Sequence, residues 1–270
     1  MAHNLIIEKR DLVAIVTLNR PQLRNAFDDI LISNLTKVFL DLEQDDTIRA
    51  VVLAGAGPAF CAGADLNWMK RMAGYGYEQN LEDAKALAEM LKTLDRLSKP
   101  TIARVHGPAY AGGVGLVTAC DIAIGTHEAQ FCLTEVKLGL SPATISPYVV
   151  RAMGVRLARR YFLTGEKIDA GEAYRLRLLS DVISKEELDG TINAILGHVV
   201  SGGRAAHAKI KDLIRAVSGG PLDDAMIADT ARRIAEIRVS PEGREGIASF
   251  LEKRKPAWVQ DSMKQKKKKK

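Results

Sequence analysis

Hydrophobic and polar positions alternate near the start of the chain and then follow a repeating strand and helix pattern. Alternation within residues 5–18 predicts a hairpin of two strands, and apolar positions at three-and-four spacing over 30–42 predict a helix. The apolar run 49–55 predicts a buried strand, and the second helical pattern, over 81–94, ends before a Lys-Pro pair. We therefore expect a β-α-β arrangement in the N-terminal part.

Strands and helices keep alternating to about Ser184, after which the pattern becomes helical. Four helical segments separated by Gly and Pro follow it, at 185–200, 204–217, 222–238 and 241–254. The chain is thus predicted to be a mixed α/β protein with a helical C-terminal portion. The predicted parts are an α/β core (1–200), a C-terminal helical region (201–258) and a basic tail (259–270), which we expect to be disordered.

The chain has 270 residues, 47% of them hydrophobic, which is enough for a sizeable core. Its formal net charge is +6, but six lysines lie among the last seven residues, and without them the net charge is zero. A solvated tail explains this basicity, so we expect no nucleic-acid partner. The non-enzymatic alternative is an RNA-associated protein, whose affinity would fall steeply with salt and vanish without residues 264–270.

Three cysteines form no CxxC pair, and an odd count is typical of a reducing compartment. The N-terminus shows no apolar signal-peptide core, and the chain holds no uninterrupted apolar run long enough for a membrane span. We therefore expect a cytoplasmic protein without a membrane partner.

Small residues mark two places where a predicted strand leads into a helix. In the segment 59–69 the backbone N–H of Ala64 is free to point at a ligand oxygen, and in 106–122 Gly112 opens a second helix. Two such N–H groups from separate loops suit an oxyanion hole, which stabilises a developing negative charge on oxygen. An ordinary glycine-containing loop explains the first segment, and close helix packing the second, equally well.

A carboxylate stands out in the apolar stretch that begins at residue 131. Glu135 is placed by the pattern at the end of a strand, and its neighbours include Leu133, Val136 and Leu138. Partial desolvation there would raise the pKa of Glu135 and suit it for proton transfer. A surface glutamate at a strand end is the alternative.

Four segments in this order and spacing resemble the crotonase (enoyl-CoA hydratase/isomerase) superfamily over residues 5 to about 258. They are NRPQLRNAF, AFCAGADL, HGPAYAGGVGL with the following CDI, and TEVKLGLSP. The resemblance implies an α/β fold, a crotonase-type spiral of β-β-α turns with a helical C-terminal trimerisation region. It also implies self-association as a trimer or hexamer and an acyl-CoA thioester substrate, with no metal and no separate cofactor.

Carried over by position, the resemblance places the two oxyanion-hole amides at Ala64 and Gly112. Glu135 falls on the second of the two glutamates that act in the hydratases of the superfamily. The positions that contact the coenzyme A moiety are Arg24, Ala26, Ala62, Asp65 and Leu66.

Gly115 departs from the superfamily pattern, since two-glutamate hydratases carry their first glutamate in a GGGxEL-like run. A glycine at this position provides no carboxylate to hold or deprotonate water. We predict a hydratase that adds water to a 2-enoyl-CoA with Glu135 alone. The alternative is a Δ3,Δ2-enoyl-CoA isomerase or another single-glutamate reaction, including a decarboxylase or thioesterase, and an inactive scaffold is also open.

Finer resemblance in 67–80, 139–154 and 245–259 is to bacterial methylglutaconyl-CoA hydratases of leucine breakdown. Such a substrate has a free distal carboxylate, which calls for a cation in the pocket. The candidate cations are Lys70, Arg71 and Arg151.

Overall fold

A computed structural model describes residues 4–259 as a mixed α/β structure. The strands are β1 (Leu5–Arg10), β2 (Val13–Leu18), β3 (Ala50–Gly55), β4 (Thr101–Val105), β5 (Ala109–Tyr110), β6 (Ile122–Thr126), β7 (Gln130–Cys132), β8 (Ile168–Asp169) and β9 (Asp181–Ile183). The helices are α1 (Asp29–Gln44), α2 (Leu66–Met72), α3 (Tyr77–Arg96), α4 (Gly112–Ala119), α5 (Ser146–Met153), α6 (Val155–Thr164), α7 (Ala170–Arg175), α8 (Leu188–Ser201), α9 (Arg204–Val217), α10 (Asp224–Val239) and α11 (Pro241–Leu251). Short 3-10 turns lie at Pro21–Leu23 and Glu135–Leu138.

The main sheet has six strands in the order β1, β2, β3, β4, β6, β9. β1 and β2 form an antiparallel hairpin at one edge, and every later pairing in this sheet is parallel. Parallel strands of this kind are buried on both faces, and β3 accordingly reads as an almost continuous apolar run.

The two faces of the main sheet belong to two apolar clusters. Val51 and Leu53 of β3 pack in the large cluster that includes residues of α1, α3 and α4. Val52 between them points the other way and packs with Leu188 and Ile192 of α8. Successive side chains along a strand point to opposite faces. One face of the sheet therefore packs against α1, α3 and α4, and the other packs against α8.

Helices α9 to α11 follow α8, which packs on the sheet. Lys211 of α9 is 8% exposed, and its Nζ donates to Asp121 Oδ2 at 2.7 Å. The same carboxylate oxygen accepts from the backbone N–H of Thr101 at 2.8 Å, so one shared acceptor joins α9 to the starts of β4 and β6. Breaking this pair would leave a charge without its partner in a mostly buried place.

These observations confirm the predicted α/β fold class. The predicted helices at 30–42 and 81–94 and the four C-terminal ones coincide with observed helices, with ends that differ by at most four residues. The division into three parts and the self-association into trimers or hexamers stay predictions, and residues 260–270 of the tail lie outside the described range. No helix within residues 4–259 has the length and apolar character needed to cross a membrane.

Candidate active site

Three chain segments run side by side in the same direction, and their alignment brings the predicted catalytic residues together. Cys61 pairs with Ala109 in a parallel bridge, and Ala109 also pairs in parallel with Phe131 of β7. The Tyr110 N–H donates to Cys61 O at 2.9 Å and fixes the register. Because the segments are parallel, residues three or four positions further on lie at the same end. They are Ala64, Gly112 and Glu135.

The backbone N–H of Ala64 points away from the chain with which this residue pairs. Its neighbours Gly63 and Asp65 both bond to Phe27: Phe27 N–H donates to Gly63 O at 2.8 Å, and Asp65 N–H donates to Phe27 O at 2.8 Å. In extended backbone the intervening N–H faces the opposite side. Within residues 4–259 no acceptor takes this N–H, so it is available to a ligand.

Gly112 is the first residue of α4, where a helix leaves its N–H groups without intrahelical partners. The preceding Ala111 holds a φ of 47° and a ψ of −120°, a conformation that costs a non-glycine residue about 1–3 kcal/mol. Its N–H donates to Cys132 O at 2.8 Å, which helps to hold the turn. The strained turn therefore directs the positive end of α4, with the Gly112 N–H, towards the cavity.

Glu135 begins the 3-10 turn that follows β7. The prediction that it ends a strand is wrong, because β7 stops at Cys132 and the chain turns before Glu135. The carboxyl group is half-buried, and its Oε2 is buried without a hydrogen-bond partner in the described chain. Burial raises the pKa of Glu135 above its ordinary value of 4.5. A carboxylate with one unpaired oxygen and a raised pKa is suited to taking up and returning a proton.

One cavity of about 630 Å³ contains these groups. Of the predicted residues, Ala64, Gly112, Glu135, Ala62 and Leu66 line it, and Leu66 is 74% exposed. Most of the remaining wall is apolar, with methionine, leucine and alanine side chains from α2 and α3. The cavity thus combines two free N–H groups and the carboxyl group of Glu135 with a largely apolar wall.

The other three predicted binding residues do not line this cavity. Arg24 is exposed and adopts a φ of 49° after the first 3-10 turn, and Ala26 is buried beneath it. Asp65 is 5% exposed; its Oδ1 accepts from the N–H groups of Asn67 and Trp68 at the start of α2, and its Oδ2 bonds Arg20. Asp65 therefore has a structural role in starting the helix that follows Ala64.

None of the three cations proposed for a distal carboxylate lines the cavity. Lys70 is exposed, Arg71 pairs with Asp29, and Arg151 pairs with Asp95 at 3.1 Å. These candidates are close along the chain to segments of the site, but they are exposed and lie on outward faces of α2 and α5. Lys137 is the cation that the structure does place at the cavity wall within residues 4–259.

The position of the missing glutamate is filled by apolar side chains. A Cβ atom built at Gly115 would lie 2.9 Å from Cβ of Ile145 and 3.6 Å from Cδ1 of Leu91. Ile145 is 2% exposed and lines the cavity. A larger residue at 115 therefore requires Ile145 to move.

Sequence reasoning missed Trp68 and Asp83, which also line the cavity. Trp68 Nε1 donates to Asp83 Oδ2 at 3.1 Å. Asp83 lies in a polar stretch of α3 typical of a solvent-facing surface, so the sequence carried no signal for it. Among residues 4–259 there is no group of three or more His, Cys, Asp or Glu side chains placed to hold a metal ion.

Comparison with known proteins gives the class of this site. The family model described as enoyl-CoA hydratase/isomerase matches residues 8–261, and the chain belongs to that family. A crystal structure of an enoyl-CoA hydratase from Shewanella pealeana is 42% identical, with a TM-score of 0.93, over 95% of this chain and 96% of the other. The resemblance to the crotonase superfamily is thereby confirmed.

Two further proteins extend the comparison. The crystal structure of an enoyl-CoA hydratase from Mycobacterium smegmatis is 34% identical, with a TM-score of 0.89, over 95% of this chain and 99% of the other. The short-chain-enoyl-CoA hydratase of Clostridium acetobutylicum is 32% identical over 258 residues, which cover 94% of this chain and 96% of the relative. The whole α/β body and the C-terminal helices are therefore shared with enzymes of the hydratase type.

Proposed function

We propose that this protein hydrates a 2-enoyl-CoA thioester and that Glu135 is its single acid/base group. The observation that carries the proposal is the buried, unpaired Oε2 of Glu135 in the same cavity as the free N–H groups of Ala64 and Gly112. The hydratase names of the relatives support the reaction type.

In the proposed reaction Glu135 takes a proton from water while the water oxygen bonds to C3 of the substrate. The π electrons of the C2–C3 bond move through C2 onto the thioester oxygen, where the two N–H groups stabilise the enolate. Glu135 then returns the proton to C2 and the carbonyl re-forms. One water is added, and no second carboxylate is needed.

We further propose that the acyl group of the substrate carries no charge. This proposal replaces 3-methylglutaconyl-CoA, the substrate that the finer sequence resemblance indicated. Among residues 4–259, the cavity wall holds the carboxylates of Glu135 and Asp83 against one cation, Lys137. A substrate with a distal carboxylate would place a third negative charge in this apolar space. A role in leucine breakdown would require that substrate and is therefore not part of the proposal.

A second candidate, Δ3,Δ2-enoyl-CoA isomerisation, is favoured by the packing at Gly115. With Ile145 in the place of the first glutamate, this position offers no carboxylate to activate water, and a proton shuttle between two carbons needs none. Incubation with crotonyl-CoA, 3-methylglutaconyl-CoA and a 3-enoyl-CoA, followed by product identification, separates the candidates. Gain of water by crotonyl-CoA supports hydration, and double-bond migration without gain of water contradicts it.

The pH profile of hydration follows from the raised pKa of Glu135. Only the ionised carboxylate can take a proton from water, so kcat/KM is expected to rise with pH through a midpoint above 4.5. The folded protein favours the neutral acid, so the contribution of Glu135 to stability is full below pH 4.5 and is lost as pH rises through the raised pKa. Initial rates across pH measure the first effect; a midpoint below 4.5 would contradict it.

Introducing a glutamate at position 115 tests whether Ile145 occupies the space that this side chain would need. Gly115→Glu alone is expected to lower activity because its side chain overlaps Ile145. Combined with Ile145→Ala, it is expected to hydrate crotonyl-CoA about 10²-fold faster than the single variant, the lower limit for one positioned acid/base group. Equal kcat values for the single and double variants would show that Ile145 does not control this position.

A further inference from the structure

A second cavity lies directly behind one wall of the active-site cavity. It has a volume of about 460 Å³ and is formed between α1 and α3. Ile32, Leu40 and Ala86 provide apolar surface within it, and Ile32 is almost completely buried. Its charged residues other than Asp83 are exposed, so they lie at the solvent side and leave an apolar surface that suits hydrocarbon.

Two residues, Trp68 and Asp83, line both cavities. The Trp68 side chain is 4% exposed, and the bond from its Nε1 to Asp83 Oδ2 at 3.1 Å links α2 to α3. Trp68 lies within one helical turn of Asp65, which caps α2 directly after the oxyanion amide of Ala64. The wall they form is therefore close to the place where the thioester oxygen would bind.

The geometry points to the Trp68–Asp83 pair as a partition that limits acyl chain length. The inference rests on the proposed acyl-CoA function and adds to it a residue pair that determines specificity. With the partition in place, an acyl chain that extends towards α3 meets the indole ring and the carboxylate. Without it, the chain continues between α1 and α3 into the second cavity.

The hydrogen bond gives the partition its rigidity. The indole Nε1–H of Trp68 donates to Asp83, so the ring keeps one orientation, and an indole without this partner would lose a buried hydrogen bond. A carboxylate in the wall also makes the end of the pocket unfavourable for further methylene groups. Both effects select short acyl chains, independently of the chemistry at Glu135.

The test compares kcat/KM for crotonyl-CoA and 2-dodecenoyl-CoA in the wild-type protein and in Trp68→Ala. The ratio of long-chain to short-chain kcat/KM is expected to rise about 10-fold or more, as expected when a pocket accepts several additional methylenes. Trp68→Phe keeps a ring in the wall and is expected to retain the short-chain preference. Adding Ser33→Trp to Trp68→Ala refills the second cavity from α1 and is expected to return the ratio towards that of the wild type.

Trp68 is buried, so its replacement by alanine is disruptive; if Trp68→Ala does not fold, Asp83→Ala is the second test, because Asp83 is only half-buried and its removal also opens the partition. It is expected to raise the same ratio by a smaller factor. If the wild-type protein is active but a folded Trp68→Ala or Asp83→Ala variant has an unchanged ratio of long-chain to short-chain kcat/KM, the partition is overturned and the proposed function is not. Absence of turnover by the wild-type protein with every 2-enoyl-CoA overturns the proposed function instead.

Discussion

Glu135→Gln is expected to lower kcat for hydration of crotonyl-CoA by about 10²–10⁴-fold, the range for a positioned acid/base group. The amide keeps the size of the side chain but cannot take a proton from water. KM is expected to change little, because the N–H groups of Ala64 and Gly112 and the apolar wall are untouched. Steady-state kinetics with purified protein measure both constants.

Folding provides a check on this variant. Oε2 of Glu135 has no hydrogen-bond partner in the described chain, and burial disfavours its charge, so an amide should not lower the melting temperature at neutral pH. The matched control is Glu82→Gln, an exposed carboxylate of α3 outside the cavity, which is expected to leave kcat unchanged. A kcat for Glu135→Gln comparable to that of the wild type would remove Glu135 from the mechanism.

Gly112→Ala is expected to lower kcat by about 10²–10³-fold, the effect of losing one oxyanion donor. A Cβ atom at this position would lie 2.5 Å from Cζ and 2.6 Å from Cε2 of Phe27, which is 1% exposed. The start of α4 must therefore shift, and the N–H moves with it. Initial rates with crotonyl-CoA, together with circular dichroism to verify folding, measure the outcome.

Two further variants separate displacement of the N–H from a general effect of alanine. Gly197 lies in α8 with no atom within 4 Å of an added Cβ, so Gly197→Ala should leave kcat unchanged and stabilise the helix by up to about 1 kcal/mol. Phe27→Leu combined with Gly112→Ala gives the added methyl group space and should restore part of the activity. If Gly112→Ala alone has wild-type kcat, the N–H of Gly112 does not stabilise the enolate.

The two loops proposed to supply the oxyanion amides could be predicted from sequence because small residues that follow strands form a local pattern. What the sequence could not provide is the pairing of Cys61 with Ala109 and of Ala109 with Phe131. These contacts join positions far apart in the chain, and they decide that Ala64 and Gly112 meet. Local periodicity contains no information about such pairings, so the resemblance to a family had to provide them.

For Glu135 the sequence predicted the correct direction of the pKa shift, but the reason behind that prediction was incomplete. Its flanking apolar residues were expected to desolvate it, but Val136 is 37% and Leu138 56% exposed. The carboxyl group is half-buried because the 3-10 turn directs it into the cavity, whose walls come from distant segments. Asp83 is the opposite case, since a residue in a polar stretch became part of the pocket through the packing of α3.

The central claim is that one carboxylate moves the proton in both steps of hydration. The most direct measurement is incubation of crotonyl-CoA in D₂O with the wild-type protein and with Glu135→Gln, followed by mass spectrometry and NMR of the product. The account predicts gain of water with deuterium at C2 for the wild-type protein and loss of both in the variant. Hydration with deuterium at C2 at an undiminished rate in Glu135→Gln would contradict it.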